Sequence, residues 1–200
     1  MILKYIKMNW KNITQIYRKL DKNTKLLSKY EFKNNNDSRQ GVVLSFLNLA
    51  LKELYDINIL QKKLMLRPAG NAIRCYCEAV GMAFLCSSKK LAIFDQLKQN
   101  IKNSEGGIAI QRLSDINIRK KLPIDEDSLL SLIEIANFSN QYSHASYVNI
   151  LYQISENKMY PFTIFKKDGI EDYKKLFEVY LSLLDNFVSV LDMCDSLLNE

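Results

Sequence analysis

Turn-forming residues are scarce in this chain, with six glycines and three prolines among 200 residues. An all-β sandwich or barrel needs frequent tight turns, so the scarcity argues against those folds and predicts long uninterrupted helices. Long hydrophobic runs are also missing. No stretch approaches the roughly 20 apolar residues that a membrane span requires. The apolar stretch within Met1–Trp10 is short and broken by Lys4 and Lys7, unlike a secretory leader. The four cysteines, Cys75, Cys77, Cys86 and Cys194, form no disulfide framework, and buried reduced thiols are the expectation. A cytoplasmic chain without membrane contact follows. Cys75 and Cys77, two apart on a helix, lean in different directions, and no second pair or nearby histidine completes a zinc site. The Gly-rich phosphate loop and the strand–turn–helix setting of a serine hydrolase are both missing. No metal and no cofactor is expected.

What is present suffices for a core: 48% of residues are hydrophobic and 25% charged, an ordinary balance for a globular domain. The net charge of +6 is uneven. Residues 1–40 carry ten Lys and Arg against three Asp and Glu, whereas residues 170–200 carry seven acids and two lysines. Such asymmetry points to a polyanion partner at one end. The abundance of Lys, Asn and Ile together, as A/T-rich coding produces, weakens that inference.

Apolar periodicity predicts helices over residues 9–30, 41–60, 66–87, 91–101, 128–142 (with a continuation toward 155) and 170–198. Residues 108–123 read as basic and irregular, with room for one short helix. Residues 103–107 are a break, and residues 159–168 a loop. Pro68 suits a first helical turn, and Asp125 to Ser128 make a strong helix start. The reading is all-α: an up-and-down bundle of about five to six helices, with residues 1–36 a basic helix or arm and residues 37–200 the bundle. Tyr173, Phe177, Tyr180, Leu184, Phe187, Leu191, Cys194 and Leu198 repeat at alternating steps of four and three. That seam fits either the bundle core or a homodimer contact.

Three polar stripes stand out. Arg67, Asn71, Arg74 and Glu78 lie in one sector of an otherwise apolar helix. Charges there must be paired or face a cleft. Asn137, Asn140, Gln141 and His144, the sole histidine, share a face of a later helix. Imidazole titrates near neutrality, and arginine forks match phosphate oxygens, so two facing stripes would make an anion pocket with one acid/base group. The bland reading is equally open: a structural histidine, and a buried ion pair that fixes helix register. Third, Lys11, Arg18, Lys22, Lys25 and Lys29 cluster on one side of the first helix, where they would track a phosphate backbone, bind an acidic protein partner, or simply face solvent. Lys89, Lys90, Lys98, Lys102, Arg112, Arg119, Lys120 and Lys121 form a second basic region.

The Arg67-Pro68 helix start, followed by Asn71 and Arg74, and the later segment Tyr142-Ser143-His144-Ala145-Ser146 resemble the HEPN superfamily (higher eukaryotes and prokaryotes nucleotide-binding), near bacterial helical families tied to abortive infection. The likeness covers residues 40–198 in helix order. It implies a helical bundle that often dimerises across its active helices and that binds RNA or a nucleotide. Many such proteins are metal-independent ribonucleases: an arginine and a polar residue precede a histidine that helps activate the ribose 2′-hydroxyl, and cleavage leaves a cyclic phosphate. By that resemblance His144 is the acid/base, Arg67 and Arg74 hold phosphate, and Asn71, Glu78, Asn137, Asn140 and Gln141 surround the substrate. The sequence departs where it matters most, because Phe138 and Ser139 stand six and five positions before His144 and that helix has no arginine.

Overall fold

The computed structural model describes residues 13–30, 38–63, 65–99, 108–143, 154–155, 158–159 and 167–199. These are all-helical apart from one two-residue antiparallel pair. In chain order the elements are α1 (Ile13–Ser28), α2 (Ser38–Lys62), α3 (Leu66–Ser87), α4 (Ile93–Gln99), α5 (Ile108–Leu113), α6 (Ile116–Arg119), α7 (Glu126–Ser143), β1 (Ile154–Ser155), β2 (Lys158–Met159) and α8 (Lys167–Leu198). α3 has the predicted bounds. Two differences stand out. Residues 108–123 hold two short helices rather than one, and residues 154–155 pair with 158–159 instead of extending α7. No described helix is long and apolar enough to cross a membrane.

α3 is the axis of the molecule: fourteen of its 22 residues are buried, and it touches α2, α4, α5, α7 and α8. Pro68 falls in its first turn, where no intrahelical N–H is required, and the ladder begins with Ala69 N–H donating to the Met65 carbonyl at 3.0 Å. The helix has two notches. A methyl group added at Gly70 would lie 2.4 Å from Tyr142 Cβ of α7, and one at Gly81 would lie 3.0 Å from Ala109 Cβ of α5. Glycine at these points lets the neighbouring elements close onto the α3 backbone.

The other long helices form the core around it. The α8 seam residues Tyr173, Phe177, Tyr180, Leu184, Phe187, Leu191, Cys194 and Leu198 are all buried, covered by the chain's own helices. α1 belongs to the same buried cluster through Ile16, Leu20 and Leu27. Its buried Asn23 donates from Nδ2 to the Leu184 carbonyl at 3.0 Å, and Tyr30 donates to the Leu191 carbonyl. Tyr76 of α3 donates to the Leu183 carbonyl. With the Ser87–Cys194 contact further along, these pairings set α1, α3 and α8 in one direction. α2 runs the other way, joining Arg39 to the Ser88 carbonyl at one end and Gln61 to the Leu176 carbonyl at the other. α7 starts where predicted, with Asp125 Oδ2 accepting from the Ser128 backbone N–H at 2.9 Å and from its hydroxyl, a side-chain N-cap.

Candidate functional site

The α3 stripe survives as a real feature, but its members have different fates. Arg67 and Arg74 are half-buried, Asn71 is exposed and Glu78 is half-buried. Arg74 Nη2 lies 3.4 Å from Glu78 Oε1. The other carboxylate oxygen, Oε2, accepts from the backbone N–H groups of Ala109 and Ile110 at 3.0 and 3.3 Å. Those N–H groups open α5 and have no intrahelical acceptor. A carboxylate there satisfies them and complements the positive end of the short helix. Glu78 therefore spends both oxygens on the fold, one on Arg74 and one on α5. The four residues share one helical face, and Glu78 caps α5.

Glu53 of α2, which the sequence reading missed, reaches the same region. Burial first, then the negative charge of Asp56, pushes its carboxyl above the usual range. Its charge also acts on Cys75, whose thiol is raised chiefly by burial and opposed by Arg74. Burial pushes the Cys86 and Cys194 thiols up to about 12 and raises Cys77 as well. None of the four is a thiolate nucleophile at neutral pH.

On α7, Asn137 is exposed and Asn140 half-buried. The Gln141 side chain and His144 lie outside the described residues, as does Lys11. α7 meets α3 through Tyr142, which is buried, seated at Gly70 and in edge-to-face contact with Phe138 at 5.7 Å. Five residues separate Asn137 from Tyr142, about 140° of helical rotation. Asn137 accordingly looks to solvent where Tyr142 looks to α3. α7 ends at Ser143.

The basic residues also divide. Arg18, Lys22, Lys25 and Lys29 are exposed on α1, and among the described residues Lys25 is held by Asp21 at 2.7 Å. Lys19, beside this ridge, pairs with Asp185 of α8, so the acidic last helix meets α1 within the same chain. In the second region the arginines serve the fold. Arg119 donates to the Leu113 and Ser114 carbonyls at 3.0 and 2.9 Å and lies 3.6 Å from Glu126, while Arg112 donates to Gln96. Lys120 and Lys121 remain exposed. No family model, no curated protein and no solved structure matches this chain.

Proposed function

We propose that the chain is a HEPN-like RNA-binding protein whose exposed α1 ridge tracks the phosphate backbone, with metal-independent cleavage centred on His144 and assisted by Arg74 and Arg67. The ridge is the observation that carries this reading. Arg18, Lys22, Lys25 and Lys29 stand at spacings of four, three and four along one line of α1, all exposed, over about 16 Å at 1.5 Å per residue. No ion pair holds Arg18, Lys22 or Lys29 among the described residues. Cationic side chains held on one straight line, one of them paired with Asp21, suit a linear polyanion.

The binding arm of the test is fluorescence anisotropy with a labelled single-stranded RNA across a salt series. Three phosphate contacts predict a log–log slope of about −2, and Arg18→Glu with Lys22→Glu should abolish binding with the fold intact. Binding indifferent to salt and to these substitutions removes the proposal. The catalytic arm compares wild type, His144→Ala and Arg74→Ala for RNA cleavage in EDTA. Equal activity in all three removes the enzyme and leaves a binder. The double commitment of Glu78 favours that second reading, a non-catalytic RNA or nucleotide module or helical interaction protein, because part of the α3 stripe already has structural work.

A further inference from the structure

Among the described residues the aromatic rings are buried or half-buried with one exception, Tyr17 of α1, which is 49% exposed. It is also held. Lys62, the last residue of α2, donates from its ammonium to the Tyr17 hydroxyl and lies 4.0 Å over the centre of the ring. That hydrogen bond is the main reason the phenol's pKa falls below its usual value. The ammonium thus engages both the hydroxyl and one face of the ring, and the exposure belongs to the rest of it. Fixing a side chain costs rotamer freedom, and a ring this exposed recovers little of that cost through burial. An aromatic that is both open and fixed is preorganised for a flat partner.

The surroundings narrow the choice of partner. Tyr17 precedes Arg18 and lies about 100° around α1 from it, on the side where α1 meets α2. The ridge of Arg18, Lys22, Lys25 and Lys29 therefore runs beside the ring. The acid on that flank, Asp21, is paired with Lys25. Ile59 stands three residues before Lys62, a neighbour of it on the surface of α2, and is 45% exposed, so the ground near the ring includes further apolar surface. Along the same seam Thr24 and Tyr55 join the two helices through hydroxyls 2.9 Å apart, which makes the flank a fixed surface. A flat ring with one cation against it and others beside it matches a ligand that alternates planar aromatic groups with anions. A polynucleotide with unpaired bases is such a ligand. In a duplex the base faces are stacked on one another and offer the ring nothing. An acidic peptide would suit the ridge but brings carboxylates where the ring calls for a flat group.

We infer that Tyr17, backed by Lys62, is a stacking site for an unpaired nucleobase, which gives the α1 face a hold on single strands that a duplex does not offer it. The phosphates lie on the ridge, and a base turns over its edge onto the ring. Every base has a π-face, so the site tolerates any sequence. The inference rests on the ridge proposal for the phosphates and on Tyr17 for the base.

The test follows the anisotropy of a short labelled RNA strand, of the same strand annealed to its complement, and of an abasic strand that keeps every sugar and phosphate. The wild-type chain should bind the intact strand roughly tenfold or more tightly than the abasic one, as one stacked base implies. Tyr17→Leu keeps apolar bulk at an exposed position and should bind the intact and abasic strands alike. Tyr17→Phe keeps the ring and should retain most of the preference. Stacking carries no charge, so Tyr17→Leu should lower affinity for the intact strand with an unchanged salt slope, whereas Arg18→Glu with Lys22→Glu flattens it. Duplex binding should be indifferent to Tyr17→Leu. Intact and abasic strands bound equally by the wild-type chain, or a Tyr17→Leu loss as large for the duplex as for the strand, overturns the inference, and the first of these measurements needs no variant to fold. Equal binding of the two strands with a steep salt slope removes the base site and leaves the ridge. A preference for the intact strand without salt dependence removes the ridge and leaves the base site. A DNA strand of the same sequence separates the two sugars: the same Tyr17 dependence there supports the stacking site and extends its ligand to single strands of either kind.

Discussion

Glu78 holds two elements with one carboxylate: Arg74 on its own helix, and the first free N–H groups of α5. Truncating it leaves two backbone donors unsatisfied and a half-buried guanidinium without its partner. Glu78→Ala should therefore cost about 1–3 kcal/mol, the range for losing a cap and leaving buried donors unmet. Glu78→Gln, which keeps an acceptor for the N–H groups, should cost less. Urea unfolding followed by circular dichroism checks both, and a Glu78→Ala protein as stable as wild type would show that the cap contributes nothing. The polar stripe itself was legible because charged residues at helical spacing on an apolar helix are conspicuous. Glu78's partner lies 31 residues downstream, and no local pattern reveals that.

At the scale of elements, contacts are set by where α3 lacks side chains. The Tyr142 ring and Cβ occupy the space a methyl group at Gly70 would need. Alanine there gains about 1 kcal/mol of helix propensity but forces α7 outward, and overpacking of this kind costs about 1–3 kcal/mol. The clash involves Cβ itself, not the flexible end of a side chain, so the loss should win and Gly70→Ala should lower stability. Adding Tyr142→Ala removes the obstruction. The double variant should then be more stable than the two separate losses predict, a coupling that a double-mutant cycle reads directly. Strict additivity would mean that the two helices do not meet at this point. Periodicity made α3 and the α8 seam readable, because both are long and their buried positions repeat at a fixed interval. α5 and α6 were not readable. Helices of six and four residues are too short to be stable alone and form here with help from Glu78, the Asp115 cap and the carbonyl contacts of Arg119.

Across the whole molecule the charge asymmetry visible in the sequence resolves into two outer faces of one body. The basic ridge of α1 and the acids of α8 both face solvent, linked by Lys19 and Asp185, while the inner faces of the same helices share a core. The excess of positive charge near the amino end was legible. Which helix α1 docks on was not, because an amphipathic stripe states that a face is buried without naming what buries it. Leu20 tests whether α1 is an arm or part of the bundle. It is fully buried in a cluster continuous with α2, α3 and α8, so Leu20→Ala should cost about 2–5 kcal/mol. If the core is one cooperative unit, that loss must appear as a shift of a single transition, read identically by helical circular dichroism and by tyrosine and tryptophan fluorescence. An arm that frays independently would give a small early change and an unmoved main transition. A polyanion site on α1 depends on the first outcome, since only a helix fixed to the body holds Arg18, Lys22 and Lys29 in register with one another at the moment of binding, and a fraying helix would have to meet the entropy of ordering them out of the binding energy itself.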